Sequence, residues 1–221
     1  MASIIHLVRH AESEHNVSKD FSQPDPPLTP LGHAQASQLI TSFPHPERIA
    51  LILTSPLRRA IQTSLAAFPH VLDKRYYTES SGLGVENGVE LVLDADLQER
   101  SALPCDTGSE SHVLKEEFLN LDLQGLREGW RVKAGLYAAD DDAVGLRAGR
   151  VRKKLGELSE GLRGEERRDV VVVTHGVFMK FLSGDGDIDL PKAGWRSYTI
   201  GKDGGDGTVL APVKESEDHS H

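Results

Sequence analysis

Short, almost wholly apolar runs alternate along this chain with longer polar stretches, and several of the apolar runs lead straight into residues that carry chemistry. Ile4 to Val8 is too apolar for a strand with one wet face and predicts a buried strand, after which the chain turns polar through Arg9-His10. Ile49 to Thr54 predicts a second buried strand, and Val89 to Leu93 a third that runs on into Asp96-Leu97-Gln98-Glu99-Arg100. Val170-Val171-Val172-Val173-Thr174 is the clearest strand, its β-branched run placing it in the middle of a sheet, and His175-Gly176 follows at once. Helical spacing fills the intervals. Thr29-Pro30 gives an N-cap and a first-turn proline for a helix through Leu39 and Ile40 that stops before Pro44. Ser55-Pro56 repeats that start, with Leu57, Ala60, Ile61, Ser64, Leu65 and Phe68 at core spacing. Ala143 to Leu162 predicts an amphipathic helix with Val144, Leu146, Val151, Leu155, Leu158 and Leu162 inward and an exposed Arg/Lys/Glu side, and Val177, Phe178, Phe181 and Leu182 begin another helix.

Between these elements the pattern is weaker. Ser18 to Pro27 is polar and proline-bearing and reads as a loop at the rim of the crevice; Tyr76 to Gly88 is polar and glycine-bearing. From Ser101 to about Asp142 the pattern is mixed, with Asp106-Thr107-Gly108-Ser109 read as a turn capping a helix that carries Val113, Leu114, Phe118 and Leu121; the segment 101–142 is a candidate lid. Arg196 to Ile200 and Thr208 to Val213 flank a glycine-rich connection suited to a hairpin, whose glycines match no phosphate-cradling pattern. Residues 1–213 are read as one domain, and 214–221 as a disordered polar tail.

Composition narrows the function. The 221 residues carry a net charge of -9, with an isoelectric point near 5.6, which argues against nucleic acid or an anionic membrane as partner but leaves room for a small anionic substrate in a local positive pocket. Cys105 is the only cysteine, so no disulfide forms within the chain and nothing calls for an oxidising compartment. The first apolar run is too short for a signal peptide and no stretch approaches a membrane span, so the expectation is a soluble, cytoplasmic protein.

The candidate chemistry sits at the strand ends, because ligands of open α/β sheets bind in the crevice beyond the carboxyl ends of the strands. Arg9 can fork onto phosphate oxygens while the neutral imidazole of His10 attacks phosphorus. Arg58 and Arg59 fall in a first helical turn, where the macrodipole favours negative charge, so an anion at the helix tip would relieve the conflict; helical phase does not choose between them. Glu99 is placed to donate a proton. His175 repeats at the end of the 170–174 strand what His10 does at the end of the first.

Taken together, Leu7-Val8-Arg9-His10-Ala11-Glu12, Thr54-Ser55-Pro56-Leu57-Arg58-Arg59-Ala60-Ile61-Gln62-Thr63 and Val173-Thr174-His175-Gly176 resemble the histidine phosphatase superfamily, also called phosphoglycerate mutase-like. The resemblance implies a three-layer α/β/α sandwich around a mostly parallel sheet, and a phosphohistidine mechanism without metal or other cofactor. It makes His10 the nucleophile and Arg9 its phosphate-binding neighbour, selects Arg59 over Arg58 because the family's arginine directly precedes the alanine, and makes His175, with Gly176 beside it, the second pocket histidine. Asn16 matches a phosphate-side asparagine and Glu99, in a Leu-x-Glu context, the proton donor; Ala11 stands where glycine is commonest. The implied reaction is hydrolysis of a small phosphomonoester. A phosphoglycerate-mutase-type transfer is the alternative, but the Arg-His-Tyr-Gly segment that mutases resembling the glycolytic enzyme carry after the acid is replaced here by Arg100-Ser101-Ala102-Leu103-Pro104-Cys105. A catalytically lapsed phosphate-binding protein is disfavoured because all five core positions are present, and a metal site at His10, His15 and His175 because the spacing suits no regular ligand set and the arginines repel a cation. Substrate identity and oligomeric state are not written in the sequence.

Overall fold

Hydrogen bonding joins all the apolar runs into one sheet. A computed structural model describes residues 2–204 and 207–213; the tail read at 214–221 lies outside the described residues, as do Gly205 and Asp206 of the glycine-rich connection. The strands are β1 (Ile4–Arg9), β2 (Ile49–Thr54), β3 (Glu90–Leu93), β4 (Asp169–Thr174), β5 (Trp195–Lys202) and β6 (Thr208–Pro212), in the order β3-β2-β4-β1-β5-β6. β1, β2, β3 and β4 pair parallel, β5 runs antiparallel to β1, and β6 forms with β5 the hairpin that the flanking runs predict. β4 is buried along its whole length, as its unbroken valines require of a strand covered on both faces.

Alternation along the strands feeds two cores. Ile5, Leu7, Leu53, Val170 and Val172 pack on one face against α5 (Asp141–Gly161) and α6 (Gly176–Ser183), through Val144, Val151, Leu155, Phe178 and Leu182. Val8, Ile52, Val171 and Val173 face the other way, toward α2 (Pro30–Ser42) and α3 (Arg58–Ala67), which contribute Ala36, Leu39, Ala60, Ile61 and Ala67. The result is the expected α/β/α sandwich. Two short helices complete the set: α1 (Glu14–Ser18), in the loop after β1, and α4 (Ser111–Glu117). The segment 101–142 inserts Leu114, Phe118, Leu121, Leu123, Trp130 and Tyr137 into the α2/α3-side core.

Three local readings need correction. Thr29 caps α2 as predicted, its Oγ1 accepting the Gly32 N–H at 2.9 Å, but Ser55 does not cap α3. That helix begins at Arg58 after Leu57, because the Ser55 hydroxyl is engaged by His175. In α5, Leu146 is exposed and Arg147 is buried. The Arg147 guanidinium donates to the carbonyls of Asp96 (3.1 Å) and Gln98 (2.8 Å) and lies 4.8 Å from the Phe178 ring, so hydrogen bonds and a cation–π contact draw inward a residue that periodicity assigns to solvent. In β1 the apolar run is broken by a buried His6, whose Nδ1 is 2.9 Å from the Ser197 Oγ.

Asp169, at the head of β4, joins distant parts of the chain: it accepts the Ile4 N–H at 2.9 Å and pairs with Arg48 at 3.0 Å. Burial pushes its carboxyl up, but His6, the Ile4 N–H and Arg48 outweigh burial and hold it below the ordinary carboxylate range. We expect Asp169→Ala to lose about 3 kcal/mol at neutral pH by urea unfolding, since a buried charge network loses one partner. Because the folded value is lowered, the stabilisation is present above the unfolded carboxylate value and is lost as pH falls through the folded one, so the gap between variant and parent should close in acid.

Candidate active site

Strand register assembles the site. β1 and β4 pair in parallel with Arg9 opposite Thr174, and β2 aligns Thr54 with Val173, so His10, Ser55 and His175 leave the sheet side by side. The His10 N–H donates to the Thr174 carbonyl at 2.9 Å and the Ser55 N–H to the Val173 carbonyl at 3.0 Å, carrying the ladder one residue past the strands. The His10 and His175 ring centroids are 5.0 Å apart.

Each ring has one hydrogen-bond partner. His10 Nδ1 lies 2.7 Å from the Ala11 carbonyl, which only accepts, so Nδ1 carries the proton and Nε2 keeps a lone pair. His175 Nε2 lies 2.8 Å from the Ser55 Oγ, a hydroxyl that can donate to the ring or accept from it. Burial pulls the pKa of both rings well below the ordinary histidine value, and the positive charge of Arg59 lowers both further. Both imidazoles are therefore neutral at neutral pH.

The two predicted arginines border the same cleft, a hollow of about 460 Å³ lined also by His10, Asn16, Glu99 and Gly176. Arg59 is buried, donating to the Cys105 carbonyl and to Asp106 Oδ1, each at 2.7 Å, while Asp106 Oδ2 accepts from the Ser101 hydroxyl at 2.6 Å. Arg9 donates through Nη1 to Asp189 at 2.8 Å and to the Leu190 carbonyl. Both arginine Nε atoms and His175 Nδ1 are buried without a hydrogen-bond partner. Gly176 permits the close packing here: a Cβ on it would stand 3.2 Å from the Arg9 guanidinium. Arg58 goes elsewhere, to Glu117 and the Asp25 carbonyl, and its N–H meets the carboxylate of Asp25 at 3.0 Å. The anion that the α3 tip requires is thus a protein side chain, and the motif's choice of Arg59 matches what reaches the cleft.

Glu99 is half-buried in the cleft wall. Its Oε1 accepts the N–H groups of Arg100 (2.7 Å) and Phe178 (3.0 Å) and its Oε2 that of Val177 (3.1 Å), so the carboxylate caps α6. Burial raises its pKa and the charge of Asp106 adds to the rise, against the opposing amides. Asn16 borders the cleft inside a closed ring of hydrogen bonds: its Oδ1 accepts from Ser13 and its Nδ2 donates to His15 Nε2 at 3.0 Å. Cys105 is buried and burial pushes its thiol up to about 11, which suits the structural reading.

Sequence reasoning missed Ser55, Asp106, Lys180 and Lys192 as cleft or near-cleft residues. Lys192 lowers the pKa of both rings, His10 and His175, and its own is lowered by burial to about 8. Nothing in its loop signals this. Among the described residues, no group of three or more His, Cys, Asp or Glu is placed to hold a metal ion, and no helix is long and apolar enough to cross a membrane.

Known proteins resemble this chain in sequence and in fold. A phosphatase-named protein of Schizosaccharomyces pombe is 28% identical over 178 residues, covering 78% of this chain and 74% of its own. In fold, the chain resembles the mycobacterial glucosyl-3-phosphoglycerate phosphatase in complex with VO3 (TM-score 0.55, 21% identity, 97% of this chain and 100% of that one). It also resembles the Entamoeba histolytica phosphoserine phosphatase in complex with 3-phosphoglyceric acid (TM-score 0.56, 18% identity, 97% and 98%). The family model for branch 1 of the histidine phosphatase superfamily matches residues 5–203, and with the motif residues gathered at one strand-end cleft, this chain belongs to that superfamily.

Proposed function

We propose that the chain is a phosphatase that hydrolyses a small phosphomonoester through a phosphohistidine at His10, without a metal. The observation that carries this reading is a lone pair on His10 Nε2 in a cleft bordered by two arginines, Arg9 and Arg59, whose Nε atoms are buried without a hydrogen-bond partner. Buried donors without partners are costly, and a phosphate oxygen is the acceptor that would satisfy them. The positive charge of the two arginines, with that of Lys192, supplies the stabilisation that phosphoryl transfer chiefly needs, the part a divalent cation plays elsewhere.

In the first step the Nε2 lone pair forms a bond to phosphorus as the ester P–O bond breaks, and the departing oxygen takes a proton from Glu99. Oε2 of Glu99, with one amide against two on Oε1, is the oxygen suited to hold that proton. In the second step water attacks phosphorus, the N–P bond breaks and the water's proton passes to Glu99. Asn16 supports the phosphate side through its remaining amide hydrogen. Hydrolysis rather than mutase-type transfer is supported by the segment after Glu99: Ser101, Leu103, Cys105 and Asp106 border the cleft, none of them a cation for a second phosphate.

His10→Ala should lower kcat on p-nitrophenyl phosphate by about 10³-fold or more with the fold intact by circular dichroism. Acid-labile label should be trapped on the parent protein and not on the variant; turnover in a cleanly folded variant would refute the nucleophile. Glu99→Gln should cost about 10²-fold in kcat with an alkyl phosphate and much less with p-nitrophenyl phosphate, whose leaving group needs no proton. Equal losses on both esters would assign Glu99 to capping alone. Since the His10 value is lowered, the ring stays neutral as pH falls through 6.5, its ordinary value. After correction for substrate ionisation, kcat/KM should show no acid limb there.

A further inference from the structure

Eleven large apolar side chains are exposed on the described surface, and three of them border the catalytic cleft: Phe21 is 45% exposed, Leu103 48% and Val177 40%. Phe21 and Leu103 come from segments far apart in sequence that are bound to each other. The Cys105 N–H donates to the Phe21 carbonyl at 3.2 Å and the Asp25 N–H to the Pro104 carbonyl at 3.3 Å. Asp25 itself is buried and held by the N–H groups of Arg58 (3.0 Å) and Ser109 (2.8 Å). The lip is therefore a built feature rather than two free loops.

Rings connect it to the nucleophile. The His10 and His15 centroids are 6.4 Å apart, and those of His15 and Phe21 are 6.2 Å apart. His15 is buried within its ring of hydrogen bonds with Ser13 and Asn16, and burial holds its pKa down at about 4, so it faces the cleft as a neutral aromatic ring. α6 and the 184–194 loop bring the charged residues Lys180, Asp189 and Lys192 to the cleft beside Gly176 and Val177. An alcohol joined through phosphorus to His10 has these two surroundings available to it: the charged residues and the Phe21–Leu103 lip.

We propose that Phe21 and Leu103 form a specificity subsite for an apolar, ring-bearing alcohol, so that the substrates preferred by the site are phosphomonoesters carrying such a group. This rests on the phosphatase reading. Singly scattered apolar side chains on a surface mean little, but Phe21 and Leu103 line one cleft on segments braced by backbone hydrogen bonds, and Phe21 lies one ring away from the nucleophile. Filling such a lip acts on kcat/KM through the apolar area that the bound ester removes from water.

The test compares ethyl, 2-phenylethyl and 2-carboxyethyl phosphates, whose alkyl leaving groups are of similar basicity, on the full chain. We expect kcat/KM for 2-phenylethyl phosphate to exceed that for ethyl phosphate by about 10-fold or more. In Phe21→Ala/Leu103→Ala that ratio should fall to below about 3. An equal ratio in the parent, a ratio retained in the double variant, or a preference for the carboxyethyl ester over the phenylethyl one would each overturn the subsite. The parent comparison decides even where the double variant fails to fold, and Phe21→Leu and Leu103→Ser read the two positions separately. Turnover of all three esters without preference sinks the subsite alone, whereas turnover of none sinks the phosphatase reading beneath it.

Discussion

The register between parallel strands governs this site. Because β1, β4 and β2 end at the same level, the residues that follow them emerge together, and two backbone hydrogen bonds past the strand ends, from His10 to Thr174 and from Ser55 to Val173, lock that level. A slip of one residue would turn every valine of β4 to the opposite face and carry His175 away from His10. The two cores on either face of the sheet oppose such a slip. Packing far from the cleft thus sets the 5.0 Å separation of the histidine rings.

Around that frame, charge is balanced with care. Arg59 is buried and answered by Asp106, which Ser101 holds in turn; Arg9 is answered by the exposed Asp189. Asp189 sits in water, where an ion pair is weak and easily exchanged for another anion. Asp106 is buried and doubly held, and is the more permanent partner. The same carboxylate raises the pKa of Glu99. Positive charge enough to hold a phosphate thus coexists with a chain whose net charge is -9.

Glu99 has two roles through one carboxylate. It caps α6, whose first residues follow His175, and it borders the cleft, where we propose it as the acid. Capping amides favour the ionised form while burial and Asp106 favour the protonated one, so its protonation is set by opposed effects of local geometry.

The apolar runs alone determined much of this protein. Buried strands are written as largely apolar sequence, so β1, β2 and β4, β3 at the sheet edge, the main helices between them and the sandwich they form were legible, as were Arg9, His10 and His175 at the strand ends, while only the motif separated Arg59 from Arg58. Only the tertiary structure decided which polar groups meet. Ser55 looks like a helix cap until His175 comes within 2.8 Å of it, and Arg147 looks solvent-facing until the Asp96 and Gln98 carbonyls lie above it. Asp25 and Asp106 read as loop and turn residues, yet they answer the charges of the α3 tip and of Arg59 from 33 and 47 residues away. Burial patterning is local and periodic and so shows in sequence, whereas a hydrogen bond between distant loops leaves no periodic trace and exists only once the chain has closed on itself.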